Sequence, residues 1–235
     1  MDLLDHLLDH QQGRGVLMRF VARLAGASFP LQRGMSLIEL MVGISIIAML
    51  MVFAAPSFSD WIQNTRIRSM ADSIQNGLQF ARTEAVRRNV PVRFQLTTTL
   101  DNSCALSLNG PQWVVNLDAT TGTSPASLCA TAINDSTTPY VLQVSPTGSV
   151  SSNASMTASP TSIVTFNSLG RQMGSTNPST TVGRLSVDVA SSRGTCAAAG
   201  GTLRCLRVVV EPAGQIRMCD PNLTVNAANQ DMACP

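Results

Sequence analysis

Residues Arg33 to Pro56 read "RGMSLIELMVGISIIAMLMVFAAP", an apolar run of membrane length with one carboxylate, Glu39, near its start. From Met35 to Ala55 there are twenty-one mostly apolar residues without a proline. As a helix rising ~1.5 Å per residue this segment covers the ~30 Å of a bilayer's hydrocarbon core. Arg14, Arg19, Arg23 and Arg33 precede it with no acid among them, so the positive-inside rule places the N-terminus in the cytoplasm and everything after Pro56 outside. A secretory signal has a shorter apolar core and a small-residue cleavage site, and its core rarely holds an acid. An ionised glutamate in a spanning helix costs about 2.5 to 3.5 kcal/mol on insertion scales, so it ordinarily has a partner. This helix carries no base to serve. Scission between Gly34 and Met35 would create one, because the new α-amine would lie four residues before Glu39, on the same helix face or on a neighbouring chain.

These residues resemble the processing site of type IV prepilins. In that family a membrane peptidase cuts after the glycine, the new N-terminus is methylated, and a glutamate occupies the fifth mature position; counted from Met35, Glu39 is fifth and Pro56 twenty-second, where many pilins carry a helix-kinking proline. Met35 departs from the usual phenylalanine at the mature start. The resemblance implies a leader over 1–34, cleavage between Gly34 and Met35, N-methylation of Met35, and an assembly role for Glu39 and Pro56.

Beyond Pro56, "SFSDWIQNTRIRSMADSIQNGLQFARTEAVRRN" places Ile67, Met70, Ile74, Leu78, Ala81 and Ala85 at spacings of three and four, one stripe of an amphipathic helix. The sequence therefore predicts a membrane half over 35–55 and an amphipathic half over 56–89, about 80 Å in all if helical throughout, with Pro56 kinking or ending the first. Asn89 ends the second, since the residue before Pro91 is pushed out of the α region. In "PVRFQL" Val92, Phe94 and Leu96 alternate with polar residues, a strand with one buried face. Further strands are predicted at 105–108, 113–117, 140–144, 163–166, 184–189, 206–211 and 215–218, with "VSPTGSVSSNASMTASPTS" (144–162) a polar loop. The fold class expected is α+β: one long helix on an antiparallel sheet, the head running over 90–235.

All sixteen basic residues are arginine, and the net charge of +2 is too small for an electrostatic footprint on nucleic acid or acidic lipid. Without lysine, P-loop and Schiff-base chemistry are excluded. The two histidines, His6 and His10, lie before the apolar run, with no further His or Cys near them to complete a metal site. They belong to an N-terminal extension, and Met18 is an alternative start. With no histidine after residue 10, a Ser-His-Asp or Cys-His arrangement is excluded from the head, and neither catalysis, metal nor cofactor is expected. Asp60, Asp72 and Glu84, with Arg66, Arg68, Arg87 and Arg88, are read as a solvated or lattice-contacting face of the stem. Six cysteines, Cys104, Cys129, Cys196, Cys205, Cys219 and Cys234, all follow the apolar run. In an exported domain without a C-x-x-C pair they favour disulfides, of which fifteen pairings are possible. Sequential pairing is preferred, because "CAAAGGTLRC" (196–205) reads as a glycine-containing turn closed at its base.

The segments "LQFARTEAVRRNVPV", "VTFNSLGR" and "VVVEPAGQIRMCDP" are similar to the stem-to-sheet junction and late strand-turn segments of the FimT/GspH branch of pilins, FimU-like members included. That resemblance implies a minor subunit near the tip of a pilus, where it helps prime assembly for adhesion and twitching motility, or of a type II secretion pseudopilus. Its partners would be other major and minor pilins or pseudopilins, the prepilin peptidase, the inner-membrane assembly platform and membrane lipid. Its place would be the inner membrane, single-pass with a periplasmic head, and then the filament. Some FimT-type pilins bind DNA through a G-R-x-R motif. Here the motif reads "GQIR" (214–217), so Gln215 replaces the first arginine, and Arg204, Arg207 and Arg217 are the residues left to form a phosphate-binding patch.

Overall fold

The computed structural model describes residues 34–234, apart from 119–123, 147–152, 176, 227 and 231 and the side chains of 53–56. The expected leader and the alternative start at Met18 lie outside the described residues, as does the side chain of Pro56. The chain divides into two units, Met1–Phe53 and Ala54–Pro235.

Helical backbone (α1) runs over Leu37–Arg88, 52 residues, and its assignment continues across Pro56. Its start is a capped one. Ser36 precedes the first helical residue, its Oγ accepts the Glu39 N–H at 3.2 Å, and its carbonyl accepts the Leu40 N–H at 3.1 Å. Ser36 and Glu39 thus occupy the two positions of a capping box, with the acid favourably placed in the first turn of the helix dipole. Arg87 and Arg88 complement the other end. Asn89 then adopts φ +56°, the left-handed conformation that asparagine tolerates, and the chain leaves for Pro91.

In the first unit nearly every large apolar side chain of the helix faces outward, from Leu37 at 78% exposure to Val52 at 72%. In the second, Ile67, Met70, Ala71, Ile74, Leu78, Ala81 and Ala85 are all buried. This is the stripe predicted from their spacing, with Ala71 added. At Gly77 the helix lies close against the sheet: a Cβ there would meet the rings of Phe94 and Trp113 at 3.0 Å.

The head has two antiparallel sheets rather than one. Sheet A is ordered β3-β2-β1-β5-β6, from β1 (Val92–Thr97), β2 (Gln112–Leu117), β3 (Val141–Val144), β5 (Ile163–Phe166) and β6 (Gln172–Met173). Sheet B is ordered β4-β7-β8-β9, from β4 (Ala154–Ser159), β7 (Leu185–Ser191), β8 (Leu206–Val210) and β9 (Ile216–Cys219). The helix stripe, Phe94, Phe166 and the inward residues Val187, Val189, Val208 and Val210 form one core. The sheets are tied where Gln172 donates its N–H to the Pro212 carbonyl at 3.1 Å and its side-chain amide to the Val210 carbonyl at 3.1 Å.

Three expectations are corrected. The polar stretch at 144–162 contains a strand, β4, whose Met156 and Ala158 point inward. Its apolar positions are few and small, so alternation was faint, and pairing with β7 supplies what propensity does not. The segment 105–108 is no strand: a single bridge joins Leu106 to Thr97. The adjoining Cys104 is bonded to Cys129. Finally, β1 is buried on both faces, Arg93, Gln95 and Thr97 included. The face away from the helix is covered at one end by a small cluster of Cys104, Val114, Cys129 and Val141. At the other end Arg93 donates to the Asn116 side-chain oxygen Oδ1 at 3.2 Å, the Ser175 hydroxyl at 3.3 Å and the Asn177 backbone carbonyl, with the Asp118 carboxylate at 3.5 Å. Burial pulls the Arg93 pKa down and Asp118 opposes it. A guanidinium taken out of water demands such a set of partners.

Three disulfides close the head in sequential order: Cys104 with Cys129, Cys196 with Cys205, and Cys219 with Cys234.

Candidate functional site

The residues that precede the helix are in the open. Gly34 and Met35 have non-helical backbone, Met35 is 68% exposed, and a Cβ on Gly34 would meet nothing within 4 Å. Among the described residues the fold places no steric demand for glycine there. Glu39 is exposed one turn into the helix, and among the described residues no base pairs with it. Its neighbours Leu37, Ile38, Leu40, Met41 and Val42 are exposed as well.

The second glutamate of the helix is built differently. Glu84 is 8% exposed and accepts from Arg87 at 2.8 and 2.6 Å and from Arg88 at 2.6 Å; Arg88 also reaches Asp135 at 2.6 Å. The Arg87 hydrogen bonds hold its carboxyl below the usual range, against desolvation and with help from Arg88. Glu84 and Arg88 therefore belong to the junction of helix and head, not to the solvated face expected of them.

The three candidate arginines do not converge into a free patch. Arg204 is exposed, with its backbone N–H given to the Asn64 side chain at 2.8 Å. Arg207 is held by Asp188 across the β7-β8 ladder at 2.7 and 3.0 Å, and that carboxylate raises its pKa. Arg217 lies diagonal to Arg207 on β9, since Arg207 pairs with Cys219 and Val209 with Arg217. Its Nε is buried without a partner among the described residues. The glycine of "GQIR" is required by the fold itself. Gly214 has φ +87°, and a Cβ on it would stand 1.9 Å from the Gly170 carbonyl oxygen, which accepts from Arg82 at 3.1 Å. Turn chemistry at 167–171 and 211–215 is thus one contact, which sequence spacing alone could not reveal.

The family model described as "Type II transport protein GspH" matches residues 70–214, more than half of the chain. The chain belongs to the GspH family. A second model, "Prokaryotic N-terminal methylation motif", matches residues 30–55 of this GspH-family protein, spanning Gly34, Met35 and Glu39. Two crystal forms of the type IV minor pilin FimU from Pseudomonas aeruginosa are similar to it in structure. One has 14% identity over 67% of this chain and 91% of that one with a TM-score of 0.43, and the other 15% over 64% and 90% with a TM-score of 0.38. No curated protein matches the chain. By these family models the GspH-family protein is a pilin or pseudopilin, a class of structural subunits made with an N-methylation motif and assembled with other pilins or pseudopilins after prepilin-peptidase processing.

Proposed function

We propose that this protein is a minor type IV pilin, a structural and assembly subunit at or near the pilus tip that helps prime filament assembly. The observation that carries the reading is the start of α1: an exposed Gly34-Met35 bond followed by a helix that exposes its apolar side chains and a Glu39 with no basic partner among the described residues. Among the described residues no single helix piece is long and apolar enough to cross a membrane; Leu37–Val52 and Ser57–Arg88 taken together match a span in length and composition only. In this reading 1–34 is a cytoplasmic leader, 35–55 the anchor, 56–89 the stem and 90–235 the periplasmic head, held single-pass in the inner membrane. Met35 becomes the methylated start, and its amine, on the same or a neighbouring chain, neutralises Glu39. Pairing fixes the vertical register of the apolar rods, and Pro56 lets the helix bend as it packs.

A second reading, a minor pseudopilin of a type II secretion system, is favoured by the name of the matching family model. Capture of the full chain from its own membranes separates the two: pilus-assembly subunits among the partners support the first, secretion-system components the second. DNA uptake is a third reading. Arg204 and Arg217 favour it and the Asp188 clamp on Arg207 counts against it. Titration with duplex DNA at two salt concentrations decides, because phosphate contacts weaken steeply with salt.

A further inference from the structure

Two large aromatic side chains stand on the surface of α1 just beyond the apolar run. Phe58 is 60% exposed and Trp61 62%, and their rings stack with centroids 5.8 Å apart and planes at 29°. Stacking has not buried them. Neither belongs to the core, whose helix residues begin at Ile67, and Gln63 is the first residue of this stretch to be buried against the head, through the Ser191 hydroxyl at 2.9 Å. Among the described residues the indole N–H of Trp61 has no acceptor, whereas the other indole, Trp113, is buried and donates to Ser73 at 3.1 Å. After Trp61 the helix exposes no further large apolar side chain until Val86, among the described residues. Thr65, Arg68, Ser69, Asp72 and Ser73 follow instead.

The position of the pair is informative. Phe58 and Trp61 come three and six residues after Ala55, the last residue of the apolar run, so helical rise puts them at most about 5 and 9 Å beyond it. The polar layer outside the hydrocarbon is itself only about 5 to 8 Å deep on each side. The order of the two residues follows the polarity gradient across that layer: phenylalanine, with no polar handle, is nearer the chains, and tryptophan, with a free N–H donor, is nearer water. An amphipathic ring with one wet edge is the kind of side chain that concentrates at that level.

We propose that Phe58 and Trp61 form an aromatic anchor in the headgroup layer on the head's side of the bilayer, setting the depth at which the helix rests before it is drawn into a filament. The proposal rests on the membrane-anchored reading above, and its occupant is lipid: the glycerol and phosphate region of a phospholipid bilayer, with the indole N–H donating to an ester or phosphate oxygen.

The test uses the full chain in phosphatidylethanolamine–phosphatidylglycerol vesicles whose acyl chains are brominated either near the headgroup or near the chain end. Trp113 supplies a constant background that the Trp61→Phe variant allows to be subtracted. The Trp61 emission is expected to be blue-shifted and quenched about two-fold more by bromine near the headgroup than by bromine near the chain end, as for an interfacial indole. Unquenched, red-shifted emission from a chain that still sediments with the vesicles overturns the anchor and leaves the membrane reading standing. Stronger quenching by the deep bromine overturns it too, by placing the ring in the hydrocarbon. Shielding that develops only when other pilins are added assigns the surface to protein and overturns the lipid assignment. A chain that does not sediment with vesicles defeats the membrane reading and the anchor together.

Discussion

Glu39 and Glu84 sit in one helix and have opposite surroundings. Glu84 is enclosed by two arginines of its own helix, one of them tied to Asp135 in the head, and it finishes a contact within the chain. Glu39 is surrounded by exposed Leu, Ile and Met; Ser36 caps its backbone N–H, and among the described residues no cation pairs with its carboxylate. The same contrast holds for the apolar side chains of the two units: those of Leu37–Val52 face outward, and those of Ile67–Ala85 are buried against the sheets. One region is packed within the chain; on the proposed reading the other is completed in lipid or among other helices. Substitutions in the two regions should therefore fail in different assays.

The largest effect is expected from Glu39→Ala. Incorporation into filaments should fall by about tenfold or more, the loss of a single ion pair of at least ~1.4 kcal/mol in an apolar setting, while membrane insertion and the melting temperature of the head stay unchanged. Recovery of normal amounts of the variant in sheared filaments would break the comparison at its centre. The converse substitution is Leu78→Ala, at a fully buried stripe position. It should destabilise the head by about 2 to 5 kcal/mol in thermal or denaturant unfolding and leave peptidase cleavage untouched. Next comes removal of the terminal disulfide by Cys219→Ser with Cys234→Ser. A closure spanning 15 residues is worth about 3 kcal/mol on the chain-entropy model, so the unfolding free energy should drop by that amount.

Glu84→Gln is the smallest expected effect and sharpens the contrast between the glutamates. Arg87 is largely exposed, so screening limits the loss to about 1 kcal/mol. The sign with pH follows from the cause. The Arg87 and Arg88 hydrogen bonds lower the folded pKa of Glu84 below its unfolded value. Its stabilisation is therefore present above the ordinary glutamate range and is lost as pH falls through the folded pKa. Denaturant midpoints measured from neutral to acid pH should fall more steeply for the natural chain than for the variant, the two converging in acid. Parallel curves would place Glu84 outside the stabilising set.

Much of this was legible because periodicity carries long elements. The stripe from Ile67 to Ala85 and the alternation of Val92, Phe94 and Leu96 each follow from which residues must leave water, and β2, β5, β7, β8 and β9 lie within about two residues of the runs that predict them. What escaped was set by tertiary contact. β4 has two inward side chains of modest size and takes its conformation from β7. Arg93 reads as the solvent position of a strand, yet residues far away in the chain, Asp118, Ser175 and Asn177 among them, enclose it. Gly214 reads as part of an arginine motif, yet it is required by the close approach of Gly170. The cap formed by Ser36 was visible in the S-x-x-E spacing of 36–39. Likewise the Asp188 clamp on Arg207 depends on a register between β7 and β8 that neither strand states alone.

The central claim is that the working protein begins at Met35, so that a new amine is available to the unpartnered Glu39. Intact-mass and N-terminal analysis of the chain extracted from its native membrane tests this directly. The account predicts a polypeptide starting at Met35 and heavier by one N-methyl group, with nothing of 1–34 attached. A functional protein in which the bond between Gly34 and Met35 is unbroken would contradict it.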